Sequence, residues 1–88
     1  MAYIIRINGE KENVVPVNGS DFTLDEIKTL IDCDWIEVVK LSGGMLMVID
    51  EEGKLVNKRC NLAATELYGH PYDVIVGDVL VCDKDQVK

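Results

Sequence analysis

The sequence is poor in basic residues and contains no long apolar run. Nine Lys and Arg residues face 16 Asp and Glu residues, which gives a formal net charge of −7 at pH 7. Proteins that bind nucleic acid through its phosphates carry clustered positive charge, so this balance argues against direct nucleic-acid binding. No apolar stretch approaches the roughly 18 residues that a membrane-spanning helix needs. We therefore expect a protein that binds neither nucleic acid nor membrane.

Signals of export and of disulfide bonding are also missing. The N-terminal stretch MAYIIRINGE includes neither a basic leader nor a small-residue cleavage site. The three cysteines, Cys33, Cys60 and Cys82, are odd in number and form no C-x-x-C pair, which is typical of free thiols in a reducing compartment. A zinc site would need all three together with His70, from distant segments. We expect a cytoplasmic protein without a bound metal.

Recognisable catalytic motifs are missing as well. The chain has no Gly-rich phosphate loop, no H-E-x-x-H and no G-x-S-x-G. Its single histidine, His70, lies between Gly69 and Pro71, where an exposed turn residue is a simpler interpretation than a dyad with Cys60. The acidic run at residues 50–52 lacks the alternating oxygen ligands of a calcium loop. The sequence indicates a non-enzymatic protein with no catalytic residue, metal or cofactor.

Short β-branched segments separated by turns make up most of the chain. Such runs, bounded by Gly, Asn or Asp, are typical of strands joined by tight turns. Pro16 cannot donate a ladder hydrogen bond, so its strand should lie at a sheet edge. Gly77 inside the last run indicates a bulge or a close backbone approach, and Gly53 should supply the unusual backbone angle of the turn at 50–54. The predicted strands are residues 3–7, 13–17, 35–41, 45–50 and 73–82.

Two segments carry helix signals. Thr23 and Glu26 have the spacing of a capping box and predict the start of a first helix. A second helix should begin at Asn61, run over residues 62–68 and end at Gly69. The apolar face of the first helix consists of residues at helical spacing, Leu24, Ile27, Leu30 and Ile31.

Together these elements predict one α+β domain over residues 1–88, a mostly antiparallel sheet of about five or six strands with two short helices. We take residues 83–88 as the segment most prone to fray. Both faces of the hairpin at 35–50 are largely apolar, so part of the sheet should be covered twice, with Trp35 in the core or against a helix. An uncovered edge strand favours self-association into a homo-oligomer.

Four segments share their order and spacing with a known family. They are Ile36-Glu37-Val38-Val39, Asp50-Glu51-Glu52-Gly53-Lys54, Asn61 followed by Ala64-Thr65, and Asp73-Val74-Ile75-Val76-Gly77-Asp78. In these segments, and in the order of its N-terminal elements, the chain resembles domain of unknown function 3846. That family is found largely in phages, plasmids and the bacterial genomes that carry them. The resemblance implies a mobile-element setting, in the host-cell cytoplasm if the protein is phage-encoded, and no assigned activity.

The densest basic and polar cluster lies just before the second helix. Asn57, Lys58 and Arg59 lead into Asn61, and Thr65 follows one turn later. Free backbone N–H groups and the partial positive charge of a helix N-terminus favour an anion. These five residues are our candidate site for a small anionic ligand. An exposed polar loop with a capping asparagine is the plainer interpretation.

Two functions follow as hypotheses. With the mobile-element resemblance, the anion site suggests a module that sequesters a nucleotide-like signalling ligand of a host defence system. The alternative is a protein-binding inhibitor or accessory subunit. Such a protein docks on a basic host protein by its acidic surface, or adds an exposed strand edge to a partner's sheet.

Overall fold

The protein folds as a five-stranded sheet with one helix on each face. The computed structural model describes residues 1–87. Its elements are β1 (Tyr3–Ile5), β2 (Lys11–Asn13), α1 (Leu24–Ile31), β3 (Ile36–Lys40), β4 (Met45–Asp50), α2 (Leu62–Tyr68) and β5 (Val79–Asp83). The strands lie in the order β2, β1, β5, β4, β3, and all neighbouring pairs are antiparallel. The predicted α+β class is confirmed.

The central strands are buried on both faces because their side chains alternate between two cores. On the α1 side lie Ile4, Val48, Leu80 and Cys82, and on the α2 side lie Ile5, Met47, Val79 and Val81. The double coverage that we predicted is confirmed for β4, whereas β3, at the end of the sheet, is only partly covered. All three cysteines are free, and burial raises the pKa of the Cys82 thiol to about 11.

Both helices begin and end at the residues that their sequence signals indicate. The Thr23 hydroxyl accepts a hydrogen bond from the Glu26 N–H (3.2 Å), and the Glu26 carboxylate accepts one from the Thr23 N–H (2.9 Å), which completes the capping box. Leu24 is half-exposed and lies outside the core, unlike the rest of the predicted apolar face. Asn61 caps α2, and Gly69 ends it in the left-handed conformation. Of the helices in residues 1–87, none has the length and apolar character to cross a membrane.

The predicted N-terminal hairpin forms, but its second strand was placed wrongly. The turn at Asn8-Gly9 is present, and across it the Arg6 N–H donates to the Glu10 carbonyl (2.8 Å). This tight turn brings Lys11 opposite Ile5, so β2 covers residues 11–13 instead of 13–17. Pro16 lies beyond the strand. β2 is an edge strand all the same.

The last strand is shorter than predicted. Gly77 adopts a φ of 77° and interrupts the extended backbone, so β5 begins only at Val79, and Val76 makes an isolated bridge with Cys60. The role that we expected of Gly53 is also wrong, because it does not adopt a positive φ. A Cβ at Gly53 would lie 2.7 Å from a methyl group of Val76, so glycine is needed there for close approach.

The segment that we expected to fray, residues 83–88, contacts the domain as far as Val87. Residues 84–86 form a 3-10 turn, and Val87 makes a parallel bridge with Phe22. The Asp83 carboxylate accepts a hydrogen bond from the N-terminal ammonium group of Met1 (2.6 Å). Lys88 lies outside the described residues.

Candidate functional site

Asn61 and Thr65, two of the five predicted ligand residues, are engaged within the fold. The fully buried Asn61 side chain accepts a hydrogen bond from the Ala64 N–H (3.1 Å) and donates to the carbonyls of Ile5 (3.0 Å) and Gly77 (2.9 Å). Thr65 Oγ1 donates to the Asn61 carbonyl (2.8 Å) and accepts from the Ile75 N–H (2.9 Å). Both hydrogens of the Asn61 amide and the one hydroxyl hydrogen of Thr65 are already donated within the fold. Neither side chain is therefore free to hold a ligand.

Lys58 also points inward. Its Nζ lies 2.7 Å from Asp50 Oδ2, and that carboxylate is only 4% exposed. The same ammonium group donates to the backbone carbonyls of Ile31 and Asp32 at the C-terminal end of α1. Its charge therefore compensates a buried carboxylate and the negative end of a helix dipole.

Asn57 and Arg59 are the two predicted ligand residues that stay exposed. Asn57 adopts a φ of 58°, a left-handed conformation that asparagine tolerates. Arg59 borders a small cavity of about 190 Å³ that is also lined by Asp32 and Asp78. Lys58 also lines this cavity, so two cationic and two acidic residues offset each other there. The local charges therefore give little support to the predicted anion site.

A different surface is formed by the outer side of β3. In the described chain β3 has a neighbouring strand on one side only. Trp35 and Leu41, at its two ends, hydrogen-bond with the β4 side of the hairpin (2.9 Å each). Backbone groups of an antiparallel strand alternate in direction, so every second residue faces away from β4. The residues with outward N–H and C=O groups are Ile36, Val38 and Lys40, and we call this row the β3 edge.

The opposite edge of the sheet, β2, is better protected against pairing. β2 has three residues, all polar or charged, and Arg6 of β1's flanking turn forms a salt bridge with Glu12. Short, charged edge strands resist the addition of another strand. β3 has five residues and includes Val38, which is 42% exposed. The β3 edge is therefore the more open of the two.

Apolar side chains lie exposed at one end of the β3 edge. Trp35 is 61% exposed and Leu55 is 80% exposed, and both line a shallow depression of about 300 Å³ together with Glu51 and Glu52. The Lys28 ammonium on α1 lies 5.8 Å from the centroid of the Trp35 ring, so the predicted helix contact is confirmed while the ring stays outside the core. An exposed aromatic ring beside carboxylates suits a partner that brings apolar and basic groups.

A cavity of about 220 Å³ lies behind β3, on its α2 side. Apolar side chains that include Val39 and Ile75 line part of it, and the remainder carries mostly carboxylates. One of these, Asp73, accepts a hydrogen bond from Lys54 Nζ at 2.8 Å. That hydrogen bond lowers the pKa of Asp73 below its ordinary value. The carboxylates are Glu37, Asp50, Glu51 and Asp73.

Comparison with known protein families decides the membership of the chain. The family model of domain of unknown function 3846, DUF3846, matches residues 1–88, the whole sequence. The chain belongs to the DUF3846 family. Neither the curated proteins nor the solved structures contain a significant match. Membership in DUF3846 confirms the resemblance seen in the sequence, and it assigns no activity to the β3 edge or to the cavity.

The sequence predicts one sheet edge, at the strand assigned to residues 13–17, but does not place β3 at the other edge. A usable local signal lies in Trp35 and in Leu55, since both apolar residues closely follow acidic ones, Asp34 and the pair Glu51-Glu52. Asp and Gly are typical of turns, and turn segments run over the protein surface. The strand order that leaves β3 at the end of the sheet depends on contacts between distant segments, so the local pattern does not contain it.

Proposed function

We propose that this DUF3846 protein is a non-enzymatic binding module that pairs its β3 edge with an extended, basic segment of another protein. The observation that carries the proposal is the row of outward N–H and C=O groups on Ile36, Val38 and Lys40, at the end of the sheet. A strand added there gains main-chain hydrogen bonds, which is the usual basis of β-augmentation. In a mobile-element setting, the partner is a host protein in the cytoplasm.

Charge supports a basic partner. The chain carries a formal charge of −7, and three acidic residues, Glu37, Glu51 and Glu52, lie on β3 or beside its apolar end. Complementary charges accelerate association and select the partner, and salt weakens their effect. The exposed rings and methyl groups of Trp35 and Leu55 add apolar contact area beside these charges.

A pair of synthetic peptides tests this function. One alternates valine with lysine, and the other alternates valine with glutamate, so both favour strands and differ only in charge. Trp35 is the single tryptophan of the chain and lies at the end of the β3 edge, so its emission reports docking. We expect a saturable blue shift with the lysine peptide, weakened by salt, and no shift with the glutamate peptide.

Two variants at one position separate strand pairing from general charge attraction. Val38→Pro removes an outward N–H and leaves the hydrogen bonds between β3 and β4 intact, because proline is tolerated on the open side of an edge strand. We expect Val38→Pro to lower the affinity for the lysine peptide at least about tenfold. Val38→Ala keeps the N–H and should change this affinity by less than about threefold. Equal binding by both variants would contradict the proposal.

The free protein provides one further check on the occupant of the β3 edge. Sedimentation measures the mass of the free protein. We expect no self-association through the β3 edge, so that this edge is available to a partner. A dimer that Val38→Pro disperses would show that a second copy occupies the edge, and it would overturn the proposal of a foreign strand. That result would instead support the self-association expected from the sequence.

Sequestration of a nucleotide-like ligand stays a prediction with less geometric support. Of its five residues, Lys58, Asn61 and Thr65 are engaged inside the fold, and the cavity beside Arg59 includes two carboxylates. A thermal-shift screen of cyclic and linear nucleotides tests it directly. A nucleotide that raises the melting temperature of the parent protein, but not of Arg59→Ala, would favour this function over protein binding.

A further inference from the structure

The cavity behind β3 lies where a docked strand would project side chains. Glu37 and Val39 belong to both β3 and the cavity lining. The backbone N–H and C=O groups of Glu37 and Val39 face β4. In a pair with a docked strand, these two residues and the partner residues opposite them would therefore form non-hydrogen-bonded pairs. In an antiparallel pair such positions approach most closely, with Cα atoms about 4.5 Å apart. Side chains that a docked strand directs to the α2 side therefore lie next to the part of the cavity that Glu37 and Val39 line.

The size of the cavity suits one side chain. Its volume is about 220 Å³, whereas pockets for small molecules usually measure about 300–1,000 Å³. Val39, Ile49 and Ile75 line it with methyl groups. Such a lining accommodates the aliphatic stem of a long side chain and leaves its polar end among the carboxylates.

The charges of the cavity favour a cation. Within residues 1–87, the Glu37 and Glu51 carboxylates have no salt-bridge partner, while Asp50 is already paired with Lys58. Lys54 is the one cationic residue of the lining. Its ammonium group lies 2.8 Å from Asp73, yet the side chain is 63% exposed. An exposed pair of this kind is weak and exchanges readily with another cation.

We propose that this cavity accepts one lysine side chain of the strand that docks on the β3 edge, which makes it the specificity pocket of the module. The lysine stem lies against Val39 and Ile75. Its ammonium group replaces that of Lys54 in the ion pair with Asp73. The carboxylates of Glu37 and Glu51 add electrostatic attraction. This inference rests on the proposed function, because the strand must first pair with β3.

Matched peptides test the pocket separately from strand pairing. Both alternate threonine with valine, and one has a central lysine where the other has norleucine, which keeps the stem and removes the charge. We expect calorimetry to show about tenfold tighter binding of the lysine peptide. Glu37→Gln and Asp73→Asn should each reduce the ratio of the affinities for the lysine and norleucine peptides. Lys54→Met removes the competing ammonium group and should widen it.

Lys84→Met is the control, because it removes the same charge from the 3-10 turn after β5. It should leave the ratio between the two peptides unchanged. If the peptides bind equally and Val38→Pro weakens both, the lysine pocket is wrong and the binding module stands. If neither peptide depends on Val38, the proposed function itself is wrong. A lysine preference that Glu37→Gln and Asp73→Asn leave intact would place the ammonium group outside the cavity and overturn the inference.

Discussion

Asn61 joins three segments of the chain through a single side chain. It caps α2, and its amide group holds the carbonyls of Ile5 and Gly77. The capping role could be predicted, because Asn61 stands at the right distance from Gly69. The other two contacts could not, since Ile5 and Gly77 lie 56 and 16 residues away along the chain. The same burial that makes Asn61 structural removes it from the predicted ligand site.

Asn61→Ala should therefore destabilise the domain strongly. It removes a helix cap and leaves two buried carbonyls without their donor, which together cost about 3 kcal/mol in the free energy of unfolding. Urea denaturation followed by circular dichroism measures the loss. The control is Asn57→Gly at the exposed left-handed position, where we expect a change within about 0.5 kcal/mol. Equal losses at the two positions would contradict the assigned role.

Lys58 and Lys54 provide a matched pair of lysines, one inside the fold and one on its surface. Lys58→Met leaves the buried Asp50 carboxylate unpaired and should cost about 3 kcal/mol of stability. Lys54→Met breaks the exposed pair with Asp73 and should cost less than about 1 kcal/mol. Urea titrations of both variants measure the difference. Similar costs would show that Asp50 does not need its partner.

Among the helices and strands, the ends of the helices could be predicted better than the ends of the strands. The helices begin at Thr23 and Asn61 as predicted, because capping depends on neighbours within four residues. The predicted second strand was displaced because the turn at Asn8-Gly9 sets the pairing of β1 with β2. The last strand was shortened because Gly77, where the sequence indicated a bulge or a close approach, takes a left-handed conformation before β5 begins.

The capping box of α1 should make stability sensitive to acid. The Glu26 carboxylate accepts hydrogen bonds from the backbone N–H groups of Thr23 and Val17 (2.9 Å each), which lower its pKa below the ordinary value of 4.5. The folded state then holds this proton less tightly than the unfolded state. The stabilisation is complete above pH 4.5 and is lost as the pH falls through the folded pKa.

Glu26→Gln removes this titration, so its stability should depend less on pH below 4.5 than that of the parent chain. Urea midpoints measured through the acid range test the expectation. Ser20→Ala, an exposed position before α1 without a titratable group, serves as the control and should retain the parent's pH dependence. Parallel midpoint curves for Glu26→Gln and the parent would contradict the role of this carboxylate.

For the domain as a whole, the class of the fold could be predicted and the strand order could not. Alternating apolar residues and turn glycines favour an antiparallel sheet with two helices whatever the order of its strands. The pairing of β1 with β5, at opposite ends of the chain, places β3 at the end of the sheet. The position of the open edge, and with it the candidate site, depends on that long-range pairing. The acidic net charge was visible from the start, but its meaning for a partner depends on where this edge lies.

Amide hydrogen exchange, followed residue by residue by NMR, shows whether a partner strand pairs with the β3 edge. In the free protein, the amides of Ile36, Val38 and Lys40 should exchange fast, whereas those of Glu37 and Val39, bonded to β4, should exchange slowly. Addition of the valine–lysine peptide should slow the first group and leave the second unchanged. Binding of the peptide without new protection at Ile36, Val38 and Lys40 would contradict strand addition at the β3 edge.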